Sequence, residues 1–150
     1  MIPLADWSRS YIMVDEKLKE QIIEHEGKRL DLYLDSEGIE TIGVGHNLKD
    51  KGISEAVCDL MLEEDIEEAI TDADTFRWFE DLNDARRAVI VDMIFNLGLT
   101  RFSKFLKTIK FLENGLYGAA AKEMLRSRWA DQVGRRAIRL SEQMRTGEFQ

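Results

Sequence analysis

The sequence predicts an α+β fold that is mainly α-helical and carries one small β-sheet. Most of the 150 residues fall in segments whose apolar positions recur with helical spacing, whereas residues 30–42 alternate apolar and polar side chains as two paired strands do. A single proline and a hydrophobic content of 44% suit one domain with a sizeable core and no linker.

The spacing predicts a first helix over residues 15–26. Apolar side chains recur on one face of it, at Leu18, Ile22 and Ile23. Gly27 follows where a left-handed residue commonly ends a helix, so Glu26 is expected in the last turn. There the negative end of the helix dipole disfavours an ionised carboxyl, and partial burial would act in the same direction.

A β-hairpin is predicted next in the chain. Residues 30–34 alternate apolar and polar side chains, the Ser-Glu-Gly sequence of residues 36–38 is typical of a turn, and residues 39–42 resume the strand pattern. This register places Asp35 at the end of one strand and Thr41 inside the next.

Glu26 and Asp35 are thus two carboxylates on different short elements beside a sheet. Such a pair suits general acid and base chemistry on a glycosidic bond, with Glu26 as the proton donor and Asp35, beside a polar turn, staying charged. The chain contains 29 acidic residues, so two acids at this spacing also arise by chance. The pair by itself is a short motif of low specificity.

The rest of the chain is predicted to be helical. Ser54 offers an N-cap for a long helix that ends near Asp74. Residues 84–96 leave almost no polar face, which predicts a buried core helix. Three further helices are expected over residues 103–113, 117–126 and 132–145, with breaks at Asn114-Gly115 and near Trp129.

Specific residues recur in a fixed order between Glu26 and His46. They are Glu26-Gly27, Arg29-Leu30, Tyr33, Asp35, Glu37-Gly38, Thr41-Ile42-Gly43 and Gly45-His46. Later blocks are Asn83 to Arg87, Met93, Phe95 and Gly98, then Ser127-Arg128-Trp129, Arg135-Arg136-Ala137 and Arg145-Thr146-Gly147. Together they resemble the catalytic segment, the central helix and the C-terminal helices of the phage-type lysozymes, glycoside hydrolase family 24, over about residues 16–148.

The resemblance implies a lysozyme-like fold in which a long helix joins a small hairpin lobe to a larger helical lobe. It implies a single domain over residues 1–150, and its parts are an N-terminal extension over 1–14, a hairpin lobe over 15–53, a linking helix over 54–80 and a helical lobe over 81–150. Only residues 47–52 separate His46 from Ile53, fewer than in T-even members of the family. The hairpin lobe is therefore expected to be smaller.

The resemblance also implies an activity, that of a muramidase. Glu26 matches the general acid that protonates the leaving oxygen of the β-1,4 bond between N-acetylmuramic acid and N-acetylglucosamine in peptidoglycan. Asp35 and Thr41 match the pair that positions the attacking water on the opposite face, which implies inversion at the anomeric carbon. The implied reaction needs no cofactor and no metal, and neither His25 nor His46 has a metal-ligand spacing with Cys58.

Further site residues follow from the resemblance. Arg136 matches an arginine that pairs with the general acid, although a single arginine on a basic helix is more commonly a surface cation. The same comparison implies an ion pair between His46 and Asp65 with a structural role. The residues implied to contact sugar are Asn47, Phe95, Asn96 and Phe105. For Phe95 a packing role is an alternative, because aromatic residues on a buried helix usually pack.

Charge is distributed unevenly along the chain. Residues 1–80 hold 21 acids and 8 bases, a net charge of −13, whereas residues 81–150 hold 8 acids and 13 bases, a net charge of +5. The expected partner is the peptidoglycan glycan strand, which is anionic together with its attached polymers, and no nucleic acid is expected. We hypothesise that cations of the C-terminal half, among them Lys122, Arg135 and Arg139, hold the protein on the bacterial envelope.

Cellular context is predicted from what the sequence contains. One cysteine, and no basic region before the short apolar run at residues 11–14, predict a chain without signal peptide or membrane insertion. We expect a monomer that stays in the host bacterial cytoplasm until a separate membrane-permeabilising protein releases it to the wall. Two alternatives remain open, namely a lytic transglycosylase that uses Glu26 alone and a noncatalytic wall-binding module.

Overall fold

A computed structural model of the chain describes residues 16–150 and shows two compact units. The first unit ends at Cys58 and the second spans Asp59–Gln150. The predicted extension over residues 1–14 lies outside the described residues. Within residues 16–150, no helix is long and apolar enough to cross a membrane.

The first unit begins with helix α1, which covers residues 16–26 of the described chain. The helix stops because Gly27 adopts a left-handed φ of 77° and donates its N–H to the carbonyl of Ile23 at 2.8 Å. The predicted helix and its glycine cap are confirmed, and Glu26 is the last helical residue.

A three-stranded antiparallel sheet follows α1, with strands in the order β1 (Arg29–Leu34), β2 (Glu40–Gly43) and β3 (His46–Asn47). Tyr33 lies opposite Thr41, but Arg29 lies opposite Gly43, so that three residues of β1 bulge past a single residue of β2. The predicted hairpin is confirmed. The strand β3 was not predicted, because two residues are too few to show an alternating pattern.

After β3 the chain is entirely helical, apart from short turns. Its elements are α2 (Leu48–Lys51), α3 (Glu55–Ala73), a 3-10 helix (Arg77–Asp81), α4 (Asp84–Leu97), α5 (Leu99–Phe102), α6 (Leu106–Glu113), α7 (Tyr117–Leu125), α8 (Arg128–Val133) and α9 (Arg135–Thr146). The mainly helical α+β class predicted from the sequence is confirmed. The short helices α2 and α5 and the 3-10 helix were not predicted.

Several predicted helix boundaries are confirmed and others are wrong. Ser54 caps α3, since its hydroxyl accepts the N–H of Val57 at 3.2 Å. Helix α6 begins three residues later than predicted, because the turn after α5 occupies residues 103–105. The break predicted near Trp129 is wrong, because Trp129 lies inside α8, which was not predicted as a separate helix. The chain breaks instead at residues 126–127 and at Gly134, where a φ of 55° separates α8 from α9.

The hydrophobic core of the second unit is built around α4, as the apolar run over residues 84–96 predicted. Buried side chains of α4 pack with residues of the later helices, and the largest side chains with almost no exposed surface are Ile90, Met93, Phe102, Met124 and Met144. Along α3 the only buried residues are Ala69 and Ala73. The other apolar side chains that recur with helical spacing are exposed, namely Leu60, Met61, Ile66 and Ile70. Helix α3 therefore joins the core only at its C-terminal end.

Arg86 on α4 forms hydrogen bonds with the C-terminal end of α9. Its guanidinium donates to the carbonyl of Met144 at 2.8 Å and to that of Arg145 at 3.1 Å. These are carbonyls of the last turn, which have no partner inside the helix. The guanidinium also lies 4.2 Å from the ring centroid of Tyr117.

Candidate active site

Glu26 projects from the end of α1 toward the turn between β2 and β3. A Cβ atom added at Gly45, which has a φ of 63°, would lie 3.0 Å from Oε2 and 3.2 Å from Cδ of Glu26. The carboxyl group therefore rests against the backbone of Gly45, in space that only glycine leaves open. The side chain is exposed, so the partial burial considered for the sequence is not observed.

Asp35 is held by the backbone of the β1–β2 turn. Its Oδ1 accepts the N–H of Glu37 at 2.8 Å and the N–H of Ile39 at 2.9 Å. Such Asx-type bonds fix the carboxylate on the turn and leave the lone pairs of Oδ2 without a protein donor among residues 16–150. One oxygen of Asp35 thus anchors the side chain while the other is available.

Thr41 lies on the central strand β2 and is buried, with 3% of the residue exposed. Its hydroxyl donates to the carbonyl of Ile39 at 2.8 Å. The same carbonyl accepts the N–H of Asp35 at 2.9 Å. Ile39 is therefore bonded to both residues of the predicted pair, and the Thr41 hydroxyl, whose single proton is already used, can act only as an acceptor toward another molecule.

His46 and Asn47 serve the local structure of the first unit. The Nε2 atom of His46 lies 2.6 Å from the carbonyl oxygen of Gly52. Asn47 is the N-cap of α2, since its Oδ1 accepts the N–H of Asp50 at 3.0 Å and its Nδ2 donates to the Asp50 carboxylate at 2.8 Å. Both groups of the Asn47 amide are thus engaged, and its predicted sugar contact would have to compete with them.

In the second unit, Arg136 pairs with Asp92. Its Nε lies 2.8 Å and its Nη2 2.7 Å from Asp92 Oδ1, and both side chains are half-buried. The two residues line an apolar groove of about 310 Å³ together with Phe95 and residues of α3 and α4. Phe95 is 42% exposed. The alternative that this aromatic ring is part of the core is therefore wrong.

Asn96 and Phe105 both contact Trp129, which is 3% exposed. The indole N–H of Trp129 donates to Asn96 Oδ1 at 2.8 Å. Its ring lies edge-on to Phe105, with centroids 6.4 Å apart. Trp129 thus orients two of the predicted sugar-contacting residues. No feature of the sequence pattern indicated this link.

Two predicted pairs each join a residue of the first unit to one of the second. They are Glu26 with Arg136 and His46 with Asp65, and both stay predictions. The sequence did not predict three contacts. They are the packing of Glu26 against Gly45, the hydrogen bonds of Ile39 to both Asp35 and Thr41, and the ion pair of Asp92 with Arg136. Only Gly45 had a signal, as the glycine immediately before His46 in the run that carries the family resemblance.

The geometry of the first unit supplies the groups that hydrolysis of a glycosidic bond requires. One exposed carboxyl lies on the sheet, and a second carboxylate is anchored by the backbone and linked through Ile39 to a threonine hydroxyl. Among residues 16–150, no cluster of histidine, cysteine and acidic side chains could hold a metal ion. Two carboxylates on separate elements are the arrangement that most glycoside hydrolases use, so the site is compatible with that class.

A sequence profile described as phage lysozyme matches residues 23–145 of the chain. The chain therefore belongs to the phage lysozyme family and is a lysozyme, a hydrolase of the muramidase type. The resemblance inferred from the run between Glu26 and His46 is confirmed at the level of the family.

Similar proteins support the same assignment. Two proteins of Dictyostelium discoideum, named probable T4-type lysozyme 2 and probable T4-type lysozyme 1, are each 28% identical to this chain. Each alignment covers 87% of this chain and 94% of the relative. The substrate of the family is peptidoglycan.

Proposed function

We propose that this lysozyme hydrolyses the β-1,4 bond between N-acetylmuramic acid and N-acetylglucosamine with inversion. In this reaction Glu26 gives its proton to the leaving glycosidic oxygen as the bond from that oxygen to the anomeric carbon breaks. A water held by Asp35 and Thr41 attacks the anomeric carbon from the other face, and Asp35 takes a proton from it.

The observation that carries this proposal is the hydrogen-bond arrangement around Ile39. Its amide anchors Oδ1 of Asp35, and its carbonyl uses the only proton of the Thr41 hydroxyl. Both side chains can therefore accept hydrogen bonds from a water and neither can donate. A water that gives its two protons to these acceptors keeps its lone pairs for the attack, as a general-base mechanism requires.

The environment of Glu26 fits the role of the general acid that protonates the leaving oxygen. Within the described part of the first unit its carboxyl has no hydrogen-bond partner and rests on Gly45, so the acid can meet the leaving oxygen of a bound strand. A nucleophilic role for Asp35 is less well supported, because one of its oxygens is committed to two backbone N–H groups. This favours a water as the attacking group, and hence inversion.

The proposal extends to the setting in which the enzyme works. The glycan strand of the bacterial wall is the partner, the protein acts as a monomer, and it is bacteriolytic. It stays in the host cytoplasm until a separate membrane-permeabilising protein gives it access to the wall. Expression of the enzyme in bacteria with and without such a permeabilising protein, followed by the optical density of the culture, tests this dependence. Lysis by the enzyme alone would contradict the need for a permeabilising protein.

Digestion of purified peptidoglycan separates the candidate activities. Mass spectrometry of the products should find reducing N-acetylmuramic acid ends, which hydrolysis gives. Anhydro ends would identify a lytic transglycosylase and contradict the water-holding role of Asp35 and Thr41. Intact strands would leave a noncatalytic wall-binding module. The anomer released first, followed by proton NMR, tests inversion.

Variants of the two carboxylates test their individual roles. Glu26→Gln should lower kcat by about 10²–10⁴-fold, the range for loss of a general acid, without unfolding the protein. The matched control is Glu24→Gln, which removes an exposed acid from the same helix. Retention of most activity by Glu26→Gln would remove that residue from its role.

Asp35→Asn keeps an oxygen that can accept the two backbone N–H groups, so the turn should form normally. Its amide nitrogen replaces an acceptor by a donor at the position that would face the water. We expect a loss of about 10²–10⁴-fold in kcat, with Asp31→Asn, an exposed acid on β1, as the control. Undiminished hydrolysis would leave the water-holding role without support.

A further inference from the structure

A basic groove lies in the second unit where the ends of α5, α6, α7 and α8 meet. Its volume is about 750 Å³. Its charged lining residues are Arg101, Lys104, Lys107, Arg126, Arg128 and Glu123. All five cationic residues are exposed, and they come from two stretches of the chain, residues 101–107 and 126–128.

The cations of the basic groove are largely unneutralised. Among residues 16–150, Arg126 has a carboxylate within ion-pair distance, Glu123 at 3.5 Å, and the other four have none. This surface therefore carries a net charge of +4 on a protein whose net charge is −8. Like charges held together repel one another, and a polyanion bound along the groove would relieve that repulsion.

The lining of the basic groove also contains apolar side chains. They are Leu97, Phe105, Leu106 and Trp129. Leu106 is 73% exposed, whereas Trp129 is buried and hydrogen-bonded to Asn96. Cations beside apolar side chains suit a ligand in which anionic groups alternate with uncharged carbon segments.

We propose that the basic groove binds a phosphodiester-linked carbohydrate or polyol polymer attached to the bacterial wall. This partner rests on the proposed function, because it is the wall hydrolase that would meet such a polymer. Three of the cations are arginines, whose planar guanidinium groups match two phosphate oxygens at once. The repeating phosphates meet the cations, and the sugar or polyol units lie on Leu106, which is exposed between them.

The basic groove gives a local explanation for wall binding by an acidic protein. At physiological ionic strength charges are screened beyond about 8 Å, so the groove acts through its own cations and not through the net charge of the chain. Lys122, Arg135 and Arg139, which the sequence alone suggested for envelope binding, do not line it. They and Lys110 therefore offer controls of equal charge.

Binding to purified poly(glycerol phosphate) tests the proposal directly. The groove variant combines Lys104→Gln, Lys107→Gln and Arg128→Gln, and the control variant combines Lys110→Gln, Lys122→Gln and Arg135→Gln. Both lose three positive charges, and thermal unfolding verifies that each is folded. Affinity is measured by titration at several salt concentrations, with polyglutamate, single-stranded DNA and anionic phospholipid vesicles as competing probes.

We expect the groove variant to bind poly(glycerol phosphate) about tenfold more weakly than wild type, from three surface contacts of ordinary strength. Its affinity should also depend less on salt. An equal loss in the control variant would overturn the proposal, since net charge alone would then explain binding. Tighter groove-dependent binding of DNA, vesicles or polyglutamate, or no binding of the phosphate polymer, would also overturn it.

A separate arm distinguishes this inference from the proposed function. Wild-type protein is given peptidoglycan from which the phosphate polymers have been removed. Failure to hydrolyse it would refute the muramidase proposal and leave the binding result to stand alone. Hydrolysis together with no groove-dependent binding would refute only the assignment of the groove.

Discussion

Replacing Gly45 with alanine tests whether the position of Glu26 depends on this glycine. The added methyl group would lie 3.0 Å from Oε2 of Glu26, whereas non-bonded atoms prefer separations of about 3.5–4.0 Å. The carboxyl group must therefore retreat by roughly 0.5 Å or more. Because it is the end of a flexible, exposed side chain, it can do so at small cost in free energy.

The expected loss of activity follows from that displacement. Misplacing a catalytic group by about 1 Å costs about 10²-fold in rate, so half of that should cost about tenfold in kcat/KM. The backbone adds a separate effect. A residue with a side chain at a φ of 63° pays about 1–2 kcal/mol in the left-handed region, which lowers the free energy of unfolding.

Gly43→Ala is the matched control. Gly43 lies in the same segment with a φ of 68°, and a Cβ added there would have no atom within 4 Å. Both variants should therefore lose about 1–2 kcal/mol of stability, corresponding to a fall in Tm of about 2–8 °C. Thermal unfolding measures this cost, and initial rates on purified peptidoglycan at a temperature where both are folded give kcat/KM.

The reasoning predicts that the two variants share a loss of stability but differ in activity. If Gly45→Ala and Gly43→Ala had equal kcat/KM, the contact between Gly45 and Glu26 would have no catalytic consequence. A larger loss of activity in the Gly43 variant would also contradict the proposed position of the acid.

Three further expectations concern a buried hydroxyl, a helix end and an exposed ion pair. Thr41→Val should lower kcat at least about tenfold, because valine lacks the hydroxyl oxygen that accepts a hydrogen bond from the water. Thr41→Ser keeps that oxygen and should retain most of the wild-type kcat. Equal rates for the two variants would contradict a role of Thr41 in holding water. Arg86→Ala should lower the free energy of unfolding by about 2 kcal/mol, because the last carbonyls of α9 lose their charged donor. The control Arg135→Ala, which removes an exposed arginine, should cost little. Similar urea midpoints for the two variants would contradict this role of Arg86. Hydrogen bonding to Arg145 lowers the pKa of the Glu142 carboxyl, so its contribution to stability is present above the ordinary glutamate pKa and is lost as pH falls through the lowered value. Carboxyl NMR titration should show that pKa rising in Arg145→Gln, and an unchanged titration would exclude the pair as its cause.

The elements predicted best are those whose signals are local. The glycine after α1, the turn at residues 36–38 and the serine before α3 each terminate or cap an element through atoms a few residues away. The prediction was wrong or silent where local signals were short or ambiguous, as at β3, at α5 and at the break between α8 and α9. A two-residue strand has no period of its own and forms only because β2 offers it a partner.

Periodicity also could not predict which residues of a helix are buried. The apolar stripe of α3 has helical spacing along most of its length, yet only Ala69 and Ala73 join the core. Phe95 lies on α4, which supplies much of the core, and is nevertheless exposed. Spacing shows which residues share a face of a helix, whereas burial depends on whether another element covers that face.

By itself the sequence determined the fold class, the hairpin that carries Asp35 and Thr41, and the family, because these depend on residue types at fixed short spacings. Only the tertiary structure decided which atoms meet. It brought the Glu26 carboxyl against Gly45, joined Arg136 to Asp92 across 44 positions of the chain, and formed the basic groove from two separate stretches of the chain. Such contacts arise from the packing of elements against one another, which no local pattern specifies.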